Sequence, residues 1–94
     1  MINIRITIEY DGKDFNGWQK QKNKLNIQGE IERAIEIITG ESVDLIGSGR
    51  TDAGVNALAQ VANFKILELK IPIDRLIYAL NSQLKKTIRI IKAE

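Results

Sequence analysis

The chain contains no cysteine and no histidine. The first absence removes disulfides and thiol chemistry. The second removes imidazole bases, histidine metal ligands and Ser/His triads from within this chain. Proline and tryptophan occur once each and aromatics make up 5% of residues, so the core must come from aliphatic side chains. No apolar run approaches the roughly 20 residues needed to span a bilayer. The first residues lack the basic and apolar regions of a signal peptide, so the expected compartment is the cytoplasm, with no membrane partner. Charge of neither sign dominates, with 14 Lys and Arg against 12 Asp and Glu and a net charge of +2. A pI of about 9.0 permits nucleic-acid binding without arguing for it. What remains is 94 residues that are 44% hydrophobic, rich in Ile and Leu. That suits one small domain, which must hide roughly two-thirds of the surface its unfolded chain exposes.

Residues 2–10 alternate strictly, with Ile2, Ile4, Ile6, Ile8 and Tyr10 against Asn3, Arg5, Thr7 and Glu9. That period predicts a strand with one buried face, and its polar side is wet or lines a cleft. Asp11-Gly12 ends it. A loop from Lys13 to Leu25 follows, longer than the usual connection of about 4–6 residues and therefore a candidate for function. Asn26 is placed to cap a helix running to about Thr39, whose stripe is Ile27, Ile31, Ala34, Ile35 and Ile38, with Gly40 to end it. Glu30, Glu32 and Glu36 fall mostly off that stripe. Glu41–Ile46 predicts a short strand and Leu58–Ile66 a longer one. Pro72 opens a second helix whose apolar stripe is Ile73, Leu76, Ile77 and Leu80, and Thr87–Ile91 predicts the last strand. The order β-α-β-β-α-β predicts an α+β, ferredoxin-like domain over residues 1–94. It would have a four-stranded antiparallel sheet with both helices on one face and the other face free.

The run Gly47-Ser48-Gly49-Arg50-Thr51-Asp52-Ala53-Gly54-Val55 interrupts the apolar pattern between two strands. It admits two readings. One is a structural hairpin, with glycines at positive φ and Asp52 in an Asx turn. The other is a carboxylate presented for chemistry. Arg50 lies two residues before Asp52, so in an extended segment both side chains project to one side. A guanidinium there holds a carboxylate ionised where water is sparse, which suits nucleophilic or electrostatic work. A phosphate-cradling P-loop is excluded by the missing Gly-Lys-Ser/Thr ending. In the long loop, Phe15 and Trp18 lie among Gln19, Lys20, Gln21 and Lys22. Such interleaving suits single strands and loops of RNA, although a packed loop tryptophan fits too. Lys85, Lys86, Arg89 and Lys92 form a basic cluster that is either a solvated face or a phosphate contact.

The motif at 47–55, followed by Ala57 and Gln60-Val61-Ala62-Asn63-Phe64, resembles the catalytic segment of the tRNA pseudouridine synthase A family. Tyr10-Asp11-Gly12, Phe15, Gly17-Trp18-Gln19 and Gln21 resemble that family's loop after its first strand. Ile27-Gln28 with Glu30 resembles its first-helix signature, and Asn81 and Leu84 match an asparagine and leucine after its second helix. The separated motifs agree in order and spacing across essentially the whole chain. Asn56 and Asn63 stand where the family usually or commonly has histidine, so no acid–base role belongs at either position. Lys85 replaces the proline of the family's Leu-Pro turn. The likeness is to the first half of the family's longer members.

The resemblance implies isomerisation of uridine to pseudouridine in the tRNA anticodon stem-loop, at tRNA positions 38–40, without cofactor or metal. It implies Asp52 as the catalytic carboxylate, either nucleophile or base, with Arg50 paired to it or to a flipped nucleotide. Thr51, Gly54 and Val55 would shape the pocket, and Trp18, Gln19 and Arg5 are further candidates for RNA contact. Full-length members are homodimers, and a lone first half is expected to fold but lack one wall of its cleft. Two other classes compete with an enzyme. A non-catalytic ferredoxin-like RNA-binding module would want aromatics on its central strands, where only Phe64 and Tyr10 are found. A purely structural α+β domain leaves Arg50, Trp18 and the loop glutamines without a purpose.

Overall fold

The computed structural model of the chain describes residues 1–10, 27–47 and 57–94. The long loop with its Asn26 cap, and residues 48–56 of the glycine-rich motif, lie outside the described residues. So do the side chains of residues 57–59, including Leu58. The elements run β1 (Ile2–Tyr10), α1 (Ile27–Thr39), β2 (Ile46–Gly47), β3 (Ala57–Ile66), α2 (Ile73–Asn81) and β4 (Ile88–Ala93). The four strands form one sheet in the order β2-β3-β1-β4, and each neighbouring pair is antiparallel. This is the α+β, ferredoxin-like arrangement that the sequence pattern predicts.

Alternation along β1 sends Ile4, Ile6, Ile8 and Tyr10 into the core, where Ala62, Phe64 and Ile66 of β3 and Ile88 and Ile90 of β4 join them. The helices close this layer with Ile27, Ile31, Ala34 and Ile35 from α1 and Leu76 and Leu80 from α2. Gly40 ends α1 at φ 77°, with its N–H donating to the Glu36 carbonyl at 2.8 Å. That left-handed residue is what a glycine after the last turn supplies. Pro72 sits at the N-cap of α2, and its carbonyl accepts from the N–H groups of Arg75 and Leu76. Among the described residues no helix is long and apolar enough to cross a membrane.

Three strands differ in their bounds from the pattern-based expectation, β3 by beginning one residue earlier, at Ala57. The last strand starts one residue later and runs on to Ala93. The strand expected over 41–46 shrinks to Ile46–Gly47. Side-chain hydrogen bonds tie down the segment before it. The Glu41 carboxylate accepts from the N–H groups of Leu67 and Glu68, while Leu45 is held by α1. Leu45, bonded to side chains at both its N–H and its carbonyl, needs no ladder partner for either group.

Candidate functional site

Of the six residues expected to make up the site, Asp52, Arg50 and Thr51 lie within 48–56, and Trp18 and Gln19 within 11–26, all outside the described residues. The ends that anchor those two segments are well placed. Tyr10, where the first segment departs, pairs with Ala57, where the second returns. Since β1 and β2 both run antiparallel to β3, the chain leaves Tyr10 and Gly47 toward the same end of the sheet. Here β3 carries an irregularity, because Ile8 pairs with Gln60 but Tyr10 with Ala57, giving β3 one extra residue. Bulges of this kind re-aim side chains and are common beside active sites.

Arg5 is the one described member of the expected set. It stands on the sheet face away from the helices, in a row that runs Ile46, Asn63 and Arg5 across β2, β3 and β1 and on to Glu94, the residue after β4. Arg5 and Glu94 exchange backbone hydrogen bonds of 2.9 Å in both directions. The guanidinium reaches the Glu94 carboxylate from Nη2 at 2.7 Å and donates to it from Nε at 3.2 Å. Lys92 Nζ adds a contact at 3.5 Å. The hydrogen bond from Arg5, with the positive charges of Arg5 and Lys92, holds the Glu94 carboxyl below its ordinary value against an opposing desolvation effect. Beside the pair, Asn63 Nδ2 donates to Asn3 Oδ1 at 3.2 Å. Asn3, Arg5, Asn63 and Glu94 together line an open depression of about 470 Å³. The face can offer amides and a shared guanidinium–carboxylate pair to a polar ligand.

The basic cluster expected near the C-terminus is partly spent on structure. Arg89 Nη1 donates to the carbonyls of Asn81 and Ile88, covering the C-terminal end of α2, where cations are favoured. Lys92 faces Glu94. Among the described residues no cluster of acidic side chains is arranged to hold a metal ion.

Reading the sequence misses one polar feature. Glu32, expected off the apolar stripe of α1, is only 8% exposed. Its Oε2 accepts from the Leu45 N–H at 2.9 Å and from Gln28 Nε2 at 3.1 Å, and the same amide group donates to the Leu45 carbonyl at 3.1 Å. The spacing of Gln28 and Glu32 by one helical turn was the available signal, but it carries no hint of the partner, which comes from another element.

Comparison with known proteins agrees with the motifs. A family model described as tRNA pseudouridine synthase matches residues 6–94. The chain is 54% identical over 94 residues to the tRNA pseudouridine synthase A of Brachyspira hyodysenteriae, covering 100% of this chain and 38% of that protein. It is 60% identical over 90 residues to the protein of the same name from Caldicellulosiruptor saccharolyticus, covering 96% and 36% respectively. With that from Acetivibrio thermocellus the identity is 58% over 90 residues, again 96% of this chain and 36% of the relative. The chain thus spans well under half the length of these curated relatives.

Proposed function

The chain belongs to the tRNA pseudouridine synthase family, and from that premise we propose that it is the N-terminal catalytic half of an enzyme that isomerises uridine to pseudouridine in the tRNA anticodon stem-loop. The observation that carries this reading is the family match running through the glycine-rich motif from residue 6 to residue 94. The pairing of Ala57, where the chain returns from the motif, with Tyr10, where the Trp18 loop departs, supports it.

The chemistry asks little of the chain beyond a carboxylate and a dry pocket. The bond from C1′ to N1 of uracil breaks, the base turns while held, and a bond from C1′ to C5 forms. The C5 proton leaves and N1 gains one, so atoms and electrons balance with no co-substrate. Asp52 acts as nucleophile at the sugar or as base. Arg50 keeps it ionised or holds the extruded nucleotide, because a stacked base must leave its helix before its glycosidic bond can be reached. Thr51 shapes the pocket. Trp18 and Gln19 contact RNA from the long loop, and Arg5 does so from the open sheet face, where its pairing with Glu94 leaves it 59% exposed. The complete enzyme works as a cytoplasmic homodimer.

Tritium release from tRNA carrying 5-tritiated uridine tests the assignment. In the whole protein that carries this sequence, Asp52→Ala is expected to abolish release while tRNA binding persists. Normal turnover by that variant would remove Asp52 from the reaction.

A further inference from the structure

We infer that Gln28 and Glu32 are positioning residues for the Gly47–Val55 motif, acting through the backbone of Leu45; the inference rests on the catalytic role proposed for Asp52. Leu45 stands two residues before Gly47, where β2 ends and the motif begins. The paired part of β2 is just Ile46 with Asn63 and Gly47 with Ala62. So short an edge strand has little power to fix its own register.

The missing restraint comes from α1. The Leu45 N–H donates to Glu32 Oε2, the Leu45 carbonyl accepts from Gln28 Nε2, and that same amide nitrogen donates to Glu32 Oε2. Both partners of the Gln28 amide nitrogen are acceptors, so only the NH₂ end fits there. Leu45 is therefore gripped at its donor and its acceptor, and its side chain is buried in the core. The helix supplying the grip is itself anchored by Ile27, Ile31 and Ile35, all fully buried. The clamp thus transmits the rigidity of the core to the point where the chain departs for Asp52. A reacting group displaced by about 1 Å can lose roughly a hundredfold in rate, so slack at Leu45 should register in catalysis before it registers in RNA binding.

The test uses the whole protein that carries this sequence, at a temperature where circular dichroism shows each variant folded. Gln28→Met keeps the side-chain length and removes both donated bonds. Its single-turnover tritium release is expected to fall roughly ten- to a hundredfold, with the tRNA dissociation constant unchanged within about twofold. Faster hydrogen exchange at the Leu45 amide should accompany the loss. Glu32→Gln, which keeps an acceptor for the Leu45 N–H, should retain most of the rate. If Gln28→Met does not fold, Gln28→Asn keeps the amide but shortens its reach, and carries the same expectations. Faster exchange at Leu45 with an unchanged release rate would overturn the inference, as would weakened tRNA binding with the rate intact. Asp52→Asn in the same assay separates the two claims. If it turns over normally the catalytic assignment fails, whereas a dead Asp52→Asn beside a fully active Gln28→Met sinks the positioning role alone.

Discussion

On the outer edge of β4 the Ile90 N–H donates to Asn81 Oδ1 at 2.8 Å, and the Ile90 carbonyl accepts from Asn81 Nδ2 at 3.0 Å. One side-chain amide thereby stands in for a neighbouring strand, and the edge is partly closed to other chains. Asn81→Ala removes both bonds and is expected to cost about 1–3 kcal/mol. Urea unfolding should show a lower midpoint with an unchanged slope. The family resemblance marks Asn81 as a position of note, but nothing in the sequence connects it to Ile90, because the bond spans two elements. The Arg5–Glu94 pair gives a pH prediction. Glu94 has a native pKa below its ordinary 4.5, so the native state holds its proton less readily than the unfolded chain does. Its stabilising effect is fully present above that ordinary value and fades as pH falls through the lowered native one. In Arg5→Met the Glu94 titration followed by NMR should move back toward 4.5.

Helix α1 ends where its sequence says it should, and Gly40 shows why. A Cβ built at Gly40 meets nothing within 4 Å, so the obstacle to another residue is the backbone angle alone, φ 77°. Gly40→Ala is expected to cost about 1–2 kcal/mol, the strain of a left-handed conformation for an L-residue. Thermal unfolding of the variant measures it without interference from packing. The apolar periods of β1, α1 and α2 could be read directly because burial on one face repeats at fixed spacing. The segment before β2 could not. Val43 and Leu45 alternate as a strand would, yet the Leu45 backbone is satisfied by Gln28 and Glu32, and the Glu41 N–H by Thr39 Oγ1, rather than by a ladder. Alternation reports which side chains are buried, not which groups bond the backbone. For the same reason the position of Glu32 off the apolar stripe of α1 does not reveal that it is buried against Leu45.

For the molecule as a whole, the division of labour follows from the sheet. One face is sealed by α1 and α2 over a continuous, largely aliphatic core, and the other carries Asn3, Arg5, Asn63 and Glu94 around an open depression. A core closed within residues 1–94 predicts that the 94-residue chain unfolds in one cooperative transition, with circular dichroism and intrinsic fluorescence coinciding. The catalytic prediction for the same chain is opposite. Isomerisation requires a cleaved base to be held and kept from water, and a single open sheet face offers one wall. The curated relatives are far longer than this chain, which covers 38% of one and 36% of another. The isolated chain is therefore expected to release tritium from 5-tritiated uridine tRNA at background rate, and activity should return when the remainder of the protein is supplied. Release near the full-length rate by the 94-residue chain would show instead that the motif, the Trp18 loop and this one sheet face suffice to enclose the base.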